Sequence, residues 1–258
     1  EVEMKYVLIS DVHGNLPALE AVLADIDARG DAEAIYHLGD LVGYAPWPNE
    51  VAALIRERGI TGIAGNYDFT VATDYEHCGC KADSLRGEEL AHLSYEWTRS
   101  HVTAETKRFL GALPFRLDLR PRGGHKSRPQ LILVHGAPTL NTLYWTEDRS
   151  DSFASKMMRS AGAKQGDLIA FGHTHKPRHR LVEGVHLVNT GSVGKPKDGD
   201  WRAGYALVEV DEEVGAVEFV RVEYDLELAV EGVLQSNLPD EFAELLRTGG
   251  TARPVEVA

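Results

Sequence analysis

The alternation of element types over the first 65 residues constrains this chain more than any other feature. Short apolar runs at Tyr6–Ser10, Ala34–Leu38 and Ile60–Ala64 are separated by two stretches whose apolar residues recur at helical spacing. In the first stretch Leu16, Leu19, Leu23 and Ile26 share one face, with Asn15 placed as N-cap and Pro17 in the first turn. In the second, Pro48, Val51, Leu54 and Ile55 mark a helix that Gly59 ends. Parallel strands need a crossover, usually a helix, so the pattern predicts β-α-β units around a parallel sheet.

The pattern changes after Asp68. Residues 69–113 read as a helical insertion, a loop followed by two helices of which Thr103 opens the second. Strands resume at Phe115–Leu119, Leu131–Val134, Leu168–Phe171 and Val185–Val188, with a basic loop around Arg120–Arg128 and a helix near Ser152–Ala163 between them. Tyr205–Val210 and Ala216–Tyr224 alternate apolar and polar residues about Asp211-Glu212-Glu213, which predicts an antiparallel hairpin. Thr248–Ala258 reads as a frayed tail. The expectation is one α/β domain over residues 1–258, parallel in its first half and antiparallel in its second.

Composition narrows the ligand. Lys and Arg number 27 against 40 Asp and Glu, a formal charge of −13 with His neutral. Such a surface repels a nucleic-acid backbone, whose binding needs clustered cations, so long DNA or RNA is not expected. A small phosphate ester is compatible, because bound divalent cations can invert the local field. No apolar run approaches the ~20 residues of a membrane span, and Glu1-Val2-Glu3-Met4-Lys5 does not open a secretory signal. A cytoplasmic protein is therefore expected, and a homo-oligomer is compatible with the sequence. Cys78 and Cys80, one residue apart after His77, read as two reduced thiols in a loop rather than a disulfide framework or a zinc site.

The polar residues that carry chemistry fall at strand ends, where open α/β sheets place their ligand sites. After the first three strands come Asp11-Val12-His13-Gly14-Asn15, Gly39-Asp40 and Gly65-Asn66-Tyr67-Asp68; after later ones come His135-Gly136 and Gly172-His173-Thr174-His175. Residues i and i+2 of an extended segment point the same way, which would pair Asp11 with His13 and His173 with His175. All candidate ligands offer oxygen or imidazole, a set suited to Mn, Fe, Zn, Co or Mg. Using seven of them sensibly takes two metals. Two divalent ions against Asp11 and Asp40 leave a surplus of positive charge, enough for a bridging hydroxide and a phosphodiester. Two-metal centres activate water for in-line displacement, so phosphoester hydrolysis is the indicated reaction class.

In this order and spacing the residues resemble the calcineurin-like metallophosphoesterases, whose pattern runs D-x-H, G-D, G-N-H-D/E, H and G-H-x-H. The resemblance spans Asp11 to His175 and extends to Asn189-Thr190-Gly191-Ser192-Val193-Gly194, which looks like a loop of the small bacterial and archaeal phosphodiesterase branch, with Thr190 where proline is common. It implies one metal held by Asp11, His13 and His175, a second held by Asn66, His135 and His173, and Asp40 between them. It also implies a mixed-sheet α/β/β/α sandwich and a phosphodiesterase acting on small, nucleotide-like or cyclic phosphoesters through a metal-bridging hydroxide. Two divalent ions are the expected cofactors, Mn ahead of Fe, Zn, Co, Ni or Mg. Asp40, Asn66, Tyr67 and Asp68 form the expected catalytic group. Tyr67 departs from the pattern, which carries there a histidine thought to assist the leaving group. A phenol with an ordinary pKa near 10 is a poorer proton donor at neutral pH.

Plainer roles compete for several residues. Asn15 reads first as a helix cap, and His37, inside an apolar strand, as a satisfied core histidine. Asp68 either orients a neighbouring histidine or starts the next turn. Arg116, Arg120, Arg122, Lys126 and Arg128 read as a solvated loop, whereas one or two of Lys176, Arg178, His179 and Arg180 are candidates to touch substrate phosphate. The insertion leaves the rim directly after Asn66 and is expected to shape substrate choice more than metal binding. Against the hydrolase stand a non-catalytic scaffold of the same fold, which the full ligand set disfavours, and a nuclease, which the acidic balance disfavours.

Overall fold

The computed structural model describes residues 4–81, 84–121 and 129–251. Strand β1 (Met4–Ile9), helix α1 (Leu16–Arg29), strand β2 (Ala32–His37), helix α2 (Pro48–Glu57) and strand β3 (Thr61–Gly62) open the chain as β-α-β units. Helices α3 (Asn66–Ala72), α4 (Leu85–His101) and α5 (Ala104–Gly111) follow. Then come β4 (Arg116–Leu119), β5 (Leu131–Val134), α6 (Asp151–Ala161), β6 (Leu168–Phe171), β7 (Arg178–Val182) and β8 (Val185–Asn189). A hairpin of β9 (Ala203–Val210) and β10 (Val214–Val222) leads to α7 (Leu226–Gln235) and α8 (Glu241–Arg247). Local chemistry sets the boundaries. Asn15 Oδ1 accepts from the Ala18 amide (3.2 Å) to start α1, and Thr103 Oγ1 accepts from the Thr106 amide (3.1 Å) to start α5.

The strands form two five-stranded sheets, ordered β10-β9-β1-β2-β3 and β4-β5-β6-β8-β7. In the first, β1, β2 and β3 are parallel and the β9-β10 hairpin lies antiparallel along β1. In the second, β5, β6 and β8 are parallel between antiparallel edges β4 and β7. The period-2 alternation of strand side chains sorts the core into layers. Tyr6 and Leu8 of β1, Leu131 and Leu133 of β5, Ala170 of β6 and Val208 of β9 meet between the sheets. Val7 and Ile9 of β1, one residue out of phase, face Leu19, Leu23 and Ile26 of α1. Ile132, Val134, Ile169 and Phe171 pack outward on Met157 and Met158 of α6 and on Trp145. The architecture is the expected α/β/β/α sandwich.

Several expectations need correction. The halves are not parallel and antiparallel in turn: each sheet is mixed, because β5, β6 and β8 of the second half run parallel. The insertion begins with a helix, α3, where a loop was expected, and its first residue is Asn66 itself. Arg178–Val182 is an edge strand in which Arg178 and Arg180 are half-buried and His179 and Leu181 are exposed. Helices α7 and α8 enlarge the layer over β1 and β9 beyond what periodicity assigns. Thr248–Thr251 is not frayed, since the Gly250 amide donates to the Leu245 carbonyl (2.8 Å) and the Gly199 amide to the Gly249 carbonyl (3.1 Å). The rest of that tail, 252–258, lies outside the described residues, as do Arg122, Lys126 and Arg128. Arg116 lies on β4, where it is bound to Asp118 and to the Ala161 carbonyl (both 2.7 Å). Among the described residues no helix is long and apolar enough to cross a membrane.

Leu133 is fully buried between the sheets. Leu133→Ala should therefore cost about 2–5 kcal/mol through lost burial and a residual cavity, read as a lower urea midpoint with an unchanged m-value.

Candidate metal centre

Strand ends from both sheets converge on one seam of the sandwich. The turn after β1 carries Asp11 and His13, the turn after β2 carries Asp40, and α3 opens on Asn66; β5 leads to His135 and β6 to His173 and His175. They gather as two buried triads, Asp11 with His13 and His175, and Asp40 with His135 and His173, each with ligand atoms within 4.8 Å of one another. Asn66 joins the second, its Oδ1 3.0 Å from His135 Nε2. Asp40 Oδ2 stands between the triads, 3.4 Å from His135 Nε2 and 3.8 Å from His13 Nε2.

The route to this convergence differs from the extended segments expected. Asp11, His13, Asp40, His173 and His175 all occupy left-handed backbone, with φ between 50° and 64°. Residues with side chains avoid that region, at a cost of about 1–2 kcal/mol each. The tight turns aim Asp11 and His13 at one triad but send His173 and His175 to different ones, so equal spacing does not mean a shared metal. The Asn189–Gly194 loop braces these turns. Ser192 Oγ donates to the Asp11 carbonyl (2.7 Å), and Asn189 Nδ2 donates to the Gly172 carbonyl (2.8 Å) and to Thr174 Oγ1 (2.9 Å). Two glycines make room: a Cβ at Gly65 would fall 2.1 Å from Asp40 Oδ1, and one at Gly172 2.4 Å from Asp11 Oδ2.

The donor set fits divalent cations. The Nδ1–H groups of His13, His135 and His175 donate to the carbonyls of Val42 (3.0 Å), Leu38 (2.8 Å) and Lys195 (2.5 Å). In the neutral rings each Nε2 thereby carries the lone pair that faces the centre, the orientation metal-binding histidines adopt. His13 Nε2 and His175 Nε2 stand 3.2 Å apart, an arrangement of two acceptors that calls for a cation beside them. Asp11 Oδ1 and His173 Nε2 are buried without a hydrogen-bond partner among the described residues, which native interiors seldom tolerate. Burial lowers the pKa of His13, His173 and His175, favouring the neutral imidazole that ligates. Burial works the same way on His135, but Asp40 and Asp11 outweigh it and raise its pKa to about 9. Burial would raise the Asp11 carboxyl, yet His175, His135 and His13 hold it below the usual carboxylate range.

The remaining predicted residues take distinct places. Asp68 is buried and, among the described residues, hydrogen-bonds no histidine; Oδ1 accepts from the Leu41 amide (2.9 Å) and Oδ2 from the Gly65 amide (3.0 Å), tying the Asp40 turn to the start of α3. Burial and Asp40 raise its pKa to about 7. The Tyr67 amide donates to Asp40 Oδ1 (2.8 Å), whereas its phenol turns to α4, donating to Ser94 Oγ (3.1 Å) and facing the Ala91 carbonyl (3.3 Å). Asn15 caps α1 as expected. His37 is buried but not satisfied, with both ring nitrogens unpartnered among the described residues and a pKa lowered by burial to about 3. Cys78 and Cys80 are joined as a disulfide, which corrects the expectation of two reduced thiols; the left-handed turn at Gly79 brings their Cα atoms to 5.2 Å. This bridged loop serves the centre, because Asn66 Nδ2 donates to the Cys78 carbonyl (3.0 Å) and so keeps Oδ1 toward His135. Sequence reasoning also missed Ser10, whose Oγ donates to Asp11 Oδ2 (2.6 Å), and Lys195, whose carbonyl orients His175. Lys195 directly follows the Asn189–Gly194 motif, the one available signal.

Residues 4–213 match the family model described as the calcineurin-like phosphoesterase superfamily domain. The chain belongs to that superfamily. It is 32% identical to the uncharacterized protein MJ0912 of Methanocaldococcus jannaschii, over 96% of this chain and 99% of the relative. It is similar in structure to a metallophosphoesterase from Sphaerobacter thermophilus, with a TM-score of 0.72 and 30% identity over 96% of this chain and all of that one. It is also 25% identical to the phosphodiesterase YfcE of Escherichia coli, over 81% of this chain and 89% of the relative. Together with two buried triads, this membership makes the protein a metal-dependent phosphoesterase with a binuclear centre. Asp40→Asn and His135→Ala should each bring bound metal in Mn-loaded protein from about two ions per chain to about one or fewer, because a second-triad donor is removed. Elemental analysis, with circular dichroism to show an intact fold, checks this.

Proposed function

We propose that this protein is a phosphodiesterase acting on small, nucleotide-like phosphoesters, with Mn as its working ion. The observation that carries the reading is Asp40 Oδ2 between the triads, 3.4 Å from His135 Nε2 and 3.8 Å from His13 Nε2. Were each triad to hold a cation, Asp40 would stand beside both. When bound, such a pair lowers the pKa of water and stabilises the attacking and leaving oxygens of an in-line displacement. Likeness to the phosphodiesterase YfcE supports the diester, and an all-oxygen and imidazole donor set supports Mn.

The chain's own groups divide the remaining work. Asn66, with its carboxamide held from behind by Cys78, presents Oδ1 beside His135. Asp68 holds the Asp40 turn against α3, and Tyr67 fixes the orientation of Asp40 through its backbone amide. The Tyr67 phenol stays with Ser94 and takes no part in proton transfer, and burial raises its pKa well above the ordinary value. A complete donor set argues against a non-catalytic scaffold. The charge of −13 argues against long nucleic acid as substrate.

Hydrolysis of bis(p-nitrophenyl) phosphate tests the reading. Mn-loaded protein should turn it over, a chelator should abolish the activity, and Asp40→Asn should lower it by more than about 100-fold, since loss even of a group supporting a metal ligand costs 10–100-fold. Tyr67→Phe should change it by less than about fivefold, the equivalent of one ordinary hydrogen bond. Undiminished turnover in chelator would sink the metal-dependent reading, and loss in Tyr67→Phe as complete as in Asp40→Asn would make the phenol a participant.

A further inference from the structure

The two flanks of the metal centre are built differently, and we infer that the substrate carries a second phosphoryl group which lies in a cationic groove beyond His173. The inference rests on the phosphoesterase reading of the centre and names the substrate class. The cavity directly over the ligands is small, about 20 Å³. On the His13 flank, Tyr44, Phe242 and Leu246 close the site around a space of about 10 Å³, and the Tyr44 ring meets Phe242 edge-on at 5.3 Å. Whatever extends from the reacting phosphate has no room on that side.

The other flank opens into a groove of about 550 Å³, lined by Lys81, Tyr144, Arg149, Thr174, Lys176 and Lys197. Groove and centre are continuous, because Tyr144 and Lys197 also line the cavity over the ligands and Thr174 stands between His173 and His175. Four cationic side chains thus gather at the mouth of the centre in a chain of net charge −13. Glu147 and Asp148 also line the groove, so that among the described lining residues cationic side chains outnumber carboxylates by four to two. Asp148 accepts from Thr146 Oγ1. Lys176 Nζ meets Glu147 Oε1 at 3.4 Å with both side chains about half exposed, a weak pair that an incoming phosphate can displace.

The wall is positioned rather than loose. The Tyr144 hydroxyl accepts from the Lys81 amide (3.3 Å) and donates to the Lys81 carbonyl (3.2 Å), pinning the loop that carries this lysine. The Arg149 guanidinium lies 5.0 Å over the Phe153 ring. An uncharged continuation of the substrate would make no use of Lys81 and Arg149, whereas a phosphoryl group supplies both the charge and the acceptor oxygens that Lys and Arg recognise. The substrate class is therefore a phosphoester bearing a further phosphoryl group within a few bonds of the scissile one.

Titration calorimetry on Mn-loaded protein tests this with three probes: adenosine 5′-monophosphate, adenosine 5′-diphosphate and adenosine 3′,5′-bisphosphate. At least one doubly phosphorylated probe should bind about tenfold tighter than the monophosphate, the equivalent of one charge-assisted contact. In the exposed double variant Lys81→Ala/Arg149→Ala that ratio should fall below about threefold, and Lys81→Arg should retain it. Equal binding of all three probes, or a ratio indifferent to the double variant, would overturn the inference. Turnover of bis(p-nitrophenyl) phosphate by the same preparations separates the two readings. Lost turnover with the binding ratio intact defeats the phosphodiesterase and supports the groove, and intact turnover without the ratio defeats the groove alone.

Discussion

Two carboxylates buried among four imidazoles govern what surrounds them. Asp11 and Asp40 lie at the seam of two sheets, essentially out of water, where an uncompensated ionised carboxylate costs several kcal/mol. Part of the compensation comes from the protein: the His173 amide (3.0 Å) and Ser10 Oγ on Asp11, and the Tyr67 amide on Asp40. The inward atoms, Asp11 Oδ1 and the paired Nε2 lone pairs of His13 and His175, are left to face one another. That residue of uncompensated negative character is what a cation completes. The protein's stability and its metal occupancy are therefore linked through the same few atoms, since binding to the folded state alone stabilises it.

The left-handed turns make sense against this demand. Strands end in sheets about 10 Å apart, and side chains leaving an ordinary extended strand end would diverge to opposite faces. Turning the backbone at Asp11, His13, Asp40, His173 and His175 bends all five toward the seam at once. Strain of this kind persists only where the surroundings over-determine it. Here the surroundings are the Asn189–Gly194 loop, which ties the Asp11 turn to the Gly172 turn, and Asp68, which ties the Asp40 turn to α3. Neither loop nor carboxylate touches the ligand atoms, yet the geometry of the centre rests on both.

How much of this was legible in the sequence follows from which interactions are local. The sandwich and the division of ligands between two metals were implied by the family resemblance, which rests on the order of the motifs, whereas the strand ends could be read because each candidate ligand follows directly on an apolar run. The caps at Asn15 and Thr103 are local and were readable for the same reason. Parallel pairing of β5, β6 and β8 was not, since it depends on where α6 and β7 send the chain. Helix α3 escaped because its seven residues begin on a ligand and include β-branched Thr70 and Val71. Lys195 acts through a carbonyl that any residue would supply, so its side chain carries no signal of the role. The Cys78–Cys80 bridge was misread because spacing alone does not reveal the turn at Gly79 that closes it.

Tyr67 shows how a change at one position of a motif redistributes the chemistry. Gly43 has φ 103°, and a Cβ there would fall 2.6 Å from Tyr67 Cε1, so the ring occupies space that only glycine leaves open. Tyr44 (5.1 Å between centroids), Tyr95 (5.9 Å) and His13 (5.6 Å) enclose the same ring. Gly43 and Tyr67 are thus fitted to each other, and the aromatic cluster beneath His13 is a packing unit tied to α4 through Ser94. The family's histidine would present a second ionisable ring there; this chain presents a buried phenol already committed to a neighbouring hydroxyl. In the hydrolysis proposed above, stabilisation of a departing oxygen would then rest on cations bound by the two triads rather than on a proton from this position.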